Sequence, residues 1–222
     1  MRSCYMCESD ATSVEHAPPK CLFPEKKDTP KGTDFRKNLI TVPSCDLHNS
    51  AKSHDDEYLF HVLSASFTSS NVGLQQFITK VRRAFERNPS LVSALTQTST
   101  SVTLRRQDDP EWGDGLAVSV RGDRLDTILG NCARALYFHE TTNKFLGLMR
   151  VITAFTMYTD SIRQKAVDVA MQSTESFYAD HLAHGDNPEV FWYKFAESEH
   201  SATFLMCFYS HSKVVVKFDK VA

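Results

Sequence analysis

Two pairs of metal-type donors near the amino terminus, Cys4-x-x-Cys7 and Cys45-x-x-His48, constrain this chain more than any other feature. Each pair sets two soft or borderline donors one tight turn apart, the spacing at which two side chains converge on one tetrahedral Zn²⁺. They fall in a segment, residues 1–60, that is rich in Cys, His, Pro and charge and has too few large apolar residues for a core of its own. Structural zinc supplies on the order of 10–16 kcal/mol of folding energy to segments of this kind. Three thiolates and one imidazole are the expected ligands. A second set exchanges His48 for Cys21, which has no turn-spaced partner. A redox role for Cys4 and Cys7 fits less well, because no βαβ pattern surrounds them.

The rest of the composition sets the compartment and the limits on partners. Six cysteines in 222 residues are few for a disulfide scaffold, and a reducing cytosol keeps such thiols free. No apolar run approaches the roughly 20 residues needed to span a bilayer. The opening "MRSCYMCESD" holds no apolar stretch of secretory type. A cytoplasmic location and no membrane partner are expected. The net charge is −2, so any grip on nucleic acid must come from a local patch.

Along the chain, Thr12 to His16 reads as a short strand stopped by Pro18-Pro19, and Leu39 to Val42 as a second strand ending at Pro43. Ser44 is placed to cap a following helix, with a break near Ser53, where Asp55, Asp56 and Glu57 suit a new amino terminus. Residues 61–222 form a second region. "LQQFITKVRRAFERN" has helical periodicity through Phe77, Val81 and Phe85, and carries Lys80, Arg82, Arg83 and Arg87, for which a solvated face is the simplest reading. Pro89 to Asp114, rich in Ser, Thr and polar groups, reads as a linker or a surface excursion. "DRLDTILGNCARALYFHE" is an amphipathic helix with Leu125, Leu129, Cys132 and Leu136 on one stripe, and "DSIRQKAVDVAMQSTESFYADHL" is a further helix. Three alternating segments, "EVFWYKFAE", "ATFLMCFYS" and "KVVVKF", close the chain as an antiparallel meander. The fold class is α+β.

Between the two donor pairs stand Glu15, His16 and Asn38, and Asn49 follows the last donor directly. The order Cys-x-x-Cys, acidic-His, x-Pro, Asn-Leu, Cys-x-x-His-Asn-x-x-Lys resembles the HNH endonucleases, whose fold is a ββα-metal module. The resemblance covers about residues 4–52. It implies a 1–60 nuclease module with a structural zinc, followed by a recognition or partner-binding region. It further implies that His16 is the general base that takes a proton from water, and that Asn38 orients that imidazole. Glu15 and Asn49 would hold a catalytic Mg²⁺ or Mn²⁺ through hard oxygen donors. Lys52 becomes a candidate phosphate contact. The implied reaction is phosphodiester hydrolysis in double-stranded DNA, leaving a 5′-phosphate and a 3′-hydroxyl. The fourth zinc position is His48 here, where many relatives carry Cys, which leaves His48 open to either ion.

Two other readings stay open at this level. One is a zinc-ribbon-like binding module in which Glu15 and His16 are incidental. The other is a defence effector held silent until a regulatory protein partner, self-association or a nucleotide signal releases it.

Overall fold

Pro18-Pro19 cannot continue a sheet ladder, so the first strand is forced to end early, and it does. In the computed structural model, which describes residues 2–50, 52–66, 69–87, 99–105 and 111–220, β1 spans Ser13–His16 and pairs antiparallel with β2, Thr41–Ser44. The register sets Glu15 opposite Val42 and His16 opposite Thr41. Residues 17–40 form a long connection with short 3-10 turns at Lys20–Leu22 and Lys26–Asp28. Helix α1, Asp46–Ser50, begins directly after Cys45, and α2 spans Ser53–Ser64. Ser44 ends the strand instead of capping the helix, and its hydroxyl donates to the Cys45 carbonyl at 3.3 Å. The expected order of strand, loop, strand and broken helix is present.

The next helical run comprises α3, Asn71–Gln76, a wider turn at Phe77–Val81 and α4, Arg82–Arg87. Phe77 packs against the core; the side chains of Val81 and Phe85 lie outside the described set. Much of the expected linker also lies outside the described residues. Its described parts add a hairpin to that stretch: β3, Ser99–Leu104, pairs antiparallel with β4, Gly113–Val118. Thr100, Val102 and Thr103 are β-branched and favour a strand, a preference diluted in the sequence by the interleaved Ser99 and Ser101.

Helix α5, Gly122–Thr141, buries Leu125, Ile128, Leu129, Cys132, Ala133 and Leu136, the i, i+3, i+4, i+7 stripe that the sequence predicts. Gly130 sits where a Cβ would meet the Met149 Cε at 2.2 Å, which brings the helix close to the sheet. That sheet is antiparallel with order β5-β9-β8-β7-β6, from β5 (Met149–Thr153), β6 (His184–Asn187), β7 (Phe191–Glu197), β8 (Ser201–Phe208) and β9 (Ser212–Asp219). The two edge strands, β5 and β6, are additions to the expected meander. Helix α6, Ser161–Phe177, covers the second face.

Strand alternation then explains why almost every residue of β8 is buried. Phe204, Met206 and Phe208, with Val214, Val216 and Phe218 of β9, join the main core shared with α5. Leu205 and Val215 point to a satellite cluster with Met171 and Tyr178 beneath α6. Each such side chain contributes roughly 1.5–3 kcal/mol by leaving water. Trp192 packs beside this cluster, and Tyr193, Phe204 and Phe208 are core.

The main core does not stop at the amino-terminal segment. Tyr5, Leu22, Phe23, Val42, Leu59 and Leu63 belong to the same cluster as α5 and the sheet. Polar contacts reinforce the junction: Arg124 bonds Asp55 at 2.7 Å and lies 4.4 Å over the Tyr58 ring, and Lys144 Nζ donates to the Cys7 carbonyl at 2.7 Å. No described helix is long and apolar enough to cross a membrane.

Candidate functional site

Backbone turns build the donor cluster. The Cys4 amide donates to the Ser9 carbonyl at 2.8 Å, closing a knuckle around Cys4 and Cys7. On the other side, the His48 and Asn49 amides both donate to the Cys45 carbonyl, at 3.1 and 3.0 Å, which turns Cys45 and His48 toward each other. The Tyr5 amide bonds the Pro43 carbonyl at 2.9 Å and docks the knuckle on β2. The result places Cys45 Sγ 3.2 Å and Cys4 Sγ 3.5 Å from His48 Nδ1, and Cys7 Sγ 3.8 Å from Cys45 Sγ. All four donor atoms lie within 4.8 Å of one another.

These separations can be compared with a tetrahedron around zinc. Bonds of about 2.3 Å to sulfur and 2.0–2.1 Å to nitrogen put two thiolates roughly 3.8 Å apart and a thiolate and an imidazole nitrogen roughly 3.5 Å apart. The observed edges match, so the cluster can hold a metal ion such as zinc. Hydrogen bonds from the Ser9 hydroxyl and amide hold the Cys7 thiol down at about 6, which favours the thiolate a metal needs. The alternative ligand Cys21 is elsewhere: its thiol donates to the Asp56 carbonyl at 3.4 Å, and burial pushes its pKa up to about 12. His48 belongs to this cluster.

The remaining nominated residues divide between two places. Ser13 and Glu15 alternate with Val14 and His16 along β1, so the first pair shares one face. Against that face lie Asn49, whose Nδ2 donates to Ser13 Oγ at 2.9 Å, and Lys52, whose ammonium bonds Glu15 Oε1. Glu15 is only 6% exposed, and its Oε2 finds no hydrogen-bond partner among the described residues. A buried carboxylate demands a countercharge, and Lys52, the candidate phosphate contact, supplies it here. Burial, then the charge of Glu15, holds the neighbouring Tyr5 phenol above its ordinary value.

His16 is half-buried at the strand end. Burial lowers its pKa below the usual imidazole value; Lys20 and Arg36 lower it further, and Glu15 opposes them. Burial and the two cations both favour the neutral ring over the imidazolium. Asn38 sits in the left-handed region at φ 52°, and its Nδ2 donates to Asp186 of β6 at 2.6 Å, so the amide expected to orient His16 is directed to the sheet. Asn187 fastens the same loop by donating to the Lys37 carbonyl at 3.0 Å. No signal in the sequence announces Asp186 as a partner, since the two positions are 148 residues apart.

The wider comparisons add no identity. No family model, no curated protein and no solved structure matches this chain.

Proposed function

We propose that the chain is a metal-dependent HNH endonuclease that hydrolyses phosphodiester bonds in double-stranded DNA. The observation that carries the reading is Glu15: a buried carboxylate whose Oε2 has no hydrogen-bond partner within range among the described residues, on the strand face that Asn49 contacts through Ser13 and one residue from an imidazole whose pKa is lowered. Its chemistry fits a hard divalent cation. Glu15 and Asn49 would hold Mg²⁺ or Mn²⁺, which when bound neutralises charge on the phosphate and on the leaving 3′ oxygen.

The chain's own residues supply the rest. His16 takes the proton of the attacking water on a ring nitrogen, since burial and two nearby cations disfavour the imidazolium beforehand. The Cys4, Cys7, Cys45 and His48 cluster fixes the knuckle, β2 and α1 to one another, and so holds Glu15 and Asn49 on a rigid frame. Lys52 pairs with Glu15 Oε1 and must withdraw from it if both carboxylate oxygens are to face a cation. Asp186 and Asn187 anchor the loop that leads from the 3-10 turns back to β2.

That same Glu15–Lys52 pair favours a second reading, a non-catalytic zinc module. A carboxylate already neutralised by an ammonium has no electrostatic need of a cation. Incubating supercoiled plasmid with the protein and Mg²⁺ or Mn²⁺ separates the two. Nicking by the parent, reduced roughly 10²- to 10⁴-fold in His16→Ala, is the nuclease outcome. Plasmid binding without cleavage in either metal assigns the module instead.

A further inference from the structure

The charge of this chain is unevenly placed. Residues 20–37 carry six basic side chains against three acidic, and residues 71–87 carry four against one. Each segment is therefore +3, while the whole chain is −2, so everything outside these two segments sums to −8. The fold brings the two positive segments to the same place. They face each other across an open cleft of about 590 Å³ lined by Lys27, Arg36, Lys80 and Arg83, with Phe60 and the carboxylates Asp56 and Glu57 of α2 and Glu25 also on its walls, so four cations stand against three anions.

The cations are held, not loose. Arg36 Nε donates to the Phe23 carbonyl at 3.1 Å, and its guanidinium lies 3.6 Å from Glu25. Arg83 bonds Asp28 at 2.8 Å. Lys80 Nζ donates to the Cys21 carbonyl at 3.2 Å and stands 5.3 Å over the Phe60 ring. By contrast Arg82, the residue just before Arg83 on the same helical run, points outward at 73% side-chain exposure and pairs with Glu86. The described side chains of the basic cluster are therefore split: Lys80 and Arg83 turn into the cleft and Arg82 into solvent. Arg36 also connects the cleft to His16, since its charge is one of those acting on that imidazole.

We infer that this cleft binds the phosphates of the nucleic-acid strand next to the bond presented to His16, with Arg36, Lys80 and Arg83 as the contacts. The inference rests on the nuclease reading for the strand's continuation to His16, while the cleft's grip on phosphate stands by itself. Fixed guanidinium forks suit phosphate oxygens. A sequence-independent grip of this kind has a measurable signature: each neutralised phosphate contributes about 0.9 to the slope of log affinity against log salt.

The test uses the full chain carrying His16→Ala, so that a labelled duplex oligonucleotide survives, with binding read by fluorescence anisotropy over a salt series. Adding Lys80→Gln and Arg83→Gln is expected to lower the slope by roughly 2, while Arg82→Gln leaves it nearly unchanged. Lys80→Arg with Arg83→Lys keeps the charge and is expected to restore the slope, which separates lost contacts from lost folding; thermal melting of each variant checks the latter. Equal effects of Arg82→Gln and the cleft pair, an unchanged slope, or no duplex binding by the parent each overturn the assignment. So does displacement of the duplex by a free nucleoside triphosphate at lower concentration than by unlabelled duplex, which would make the cleft a small-ligand site. A reduced slope in a protein that never nicks plasmid leaves the cleft standing and sinks the nuclease reading; normal nicking with an unchanged slope does the reverse.

Discussion

In the carboxyl-terminal sheet the inward positions are Phe204, Met206, Phe208, Val214, Val216 and Phe218, all fully or nearly fully buried. In the amino-terminal hairpin the face toward α1 carries Ser13 and Glu15 instead. One region is positioned by apolar burial, which is non-directional and tolerant of small shifts. The other is positioned by donor atoms, four of them around one point and two more in an ion pair, and these interactions depend on distance and angle. The two share one continuous core through Tyr5, Val42 and Leu59. A rigid apolar platform thus carries a segment whose own geometry is set by directional contacts, the arrangement expected where polar groups must be placed accurately.

Where the Cys4, Cys7, Cys45 and His48 cluster is loaded with zinc, the largest effect should follow its removal. Structural zinc contributes on the order of 10–16 kcal/mol in isolated modules, and the shared core offsets part of that loss here. Cys4→Ser, or prolonged chelation, is expected to strip bound zinc and expose the amides of Cys4, Tyr5 and Thr12 to hydrogen exchange, while those of β8 and β9 keep their protection. If both regions lose protection together, the contrast between them is wrong and the shared core makes them one cooperative unit.

Phe218→Ala probes the other side. The ring is fully buried and lies 4.3 Å from Phe145, centroid to centroid, with Tyr137 at 5.6 Å. Truncation of such a residue costs about 3–5 kcal/mol, measurable as a lowered denaturation midpoint. Because Phe218 sits on the platform, the folded fraction should retain zinc. Loss of zinc from the folded variant would show that the platform, not the donors, shapes the cluster.

These two regions were also legible to different degrees. Cys4-x-x-Cys7 and Cys45-x-x-His48 are local spacings, and the structure joins them into one cluster. The stripe Leu125, Leu129, Cys132 and Leu136 and the alternation of the last three strands are likewise local periodicities, and they fold as their spacing predicts. What stayed hidden is non-local or polar. Strand β6, His184–Asn187, has no apolar alternation; it exists because Tyr193 and Phe191 of β7 offer it a ladder. The Asn38–Asp186 and Glu15–Lys52 contacts join residues 148 and 37 positions apart, and neither side chain names its partner in advance. The cleft needed charge counting in two separated segments and then the fold to oppose them.

Asp56 offers the smallest and most selective test, because it stands where the two regions' principles conflict. Its helix α2 packs against the apolar core through Leu59, Phe60 and Leu63, yet its carboxyl is drawn into that environment with Oδ1 lacking a partner among the described residues. Burial raises its pKa from 3.8 to about 6; Lys52 opposes the rise, and Glu15 and Asp55 add to it. The sign follows from proton uptake. Between these values the folded state binds more proton than the unfolded chain, so the protonated carboxyl's stabilising contribution is complete below about 3.8 and is lost as pH rises through about 6. Asp56→Asn keeps the shape and cannot ionise. Relative to the parent it should gain about 1 kcal/mol at pH 7, after allowance for partial solvent screening and for the lost attraction to Lys52, and nothing near pH 4. Any titration of the Cys4, Cys7, Cys45 and His48 cluster affects parent and variant alike, so the difference between their denaturation midpoints isolates the carboxylate. A difference that is constant across that range would mean Asp56 is ionised as readily in the fold as out of it, and that water reaches the base of the cleft.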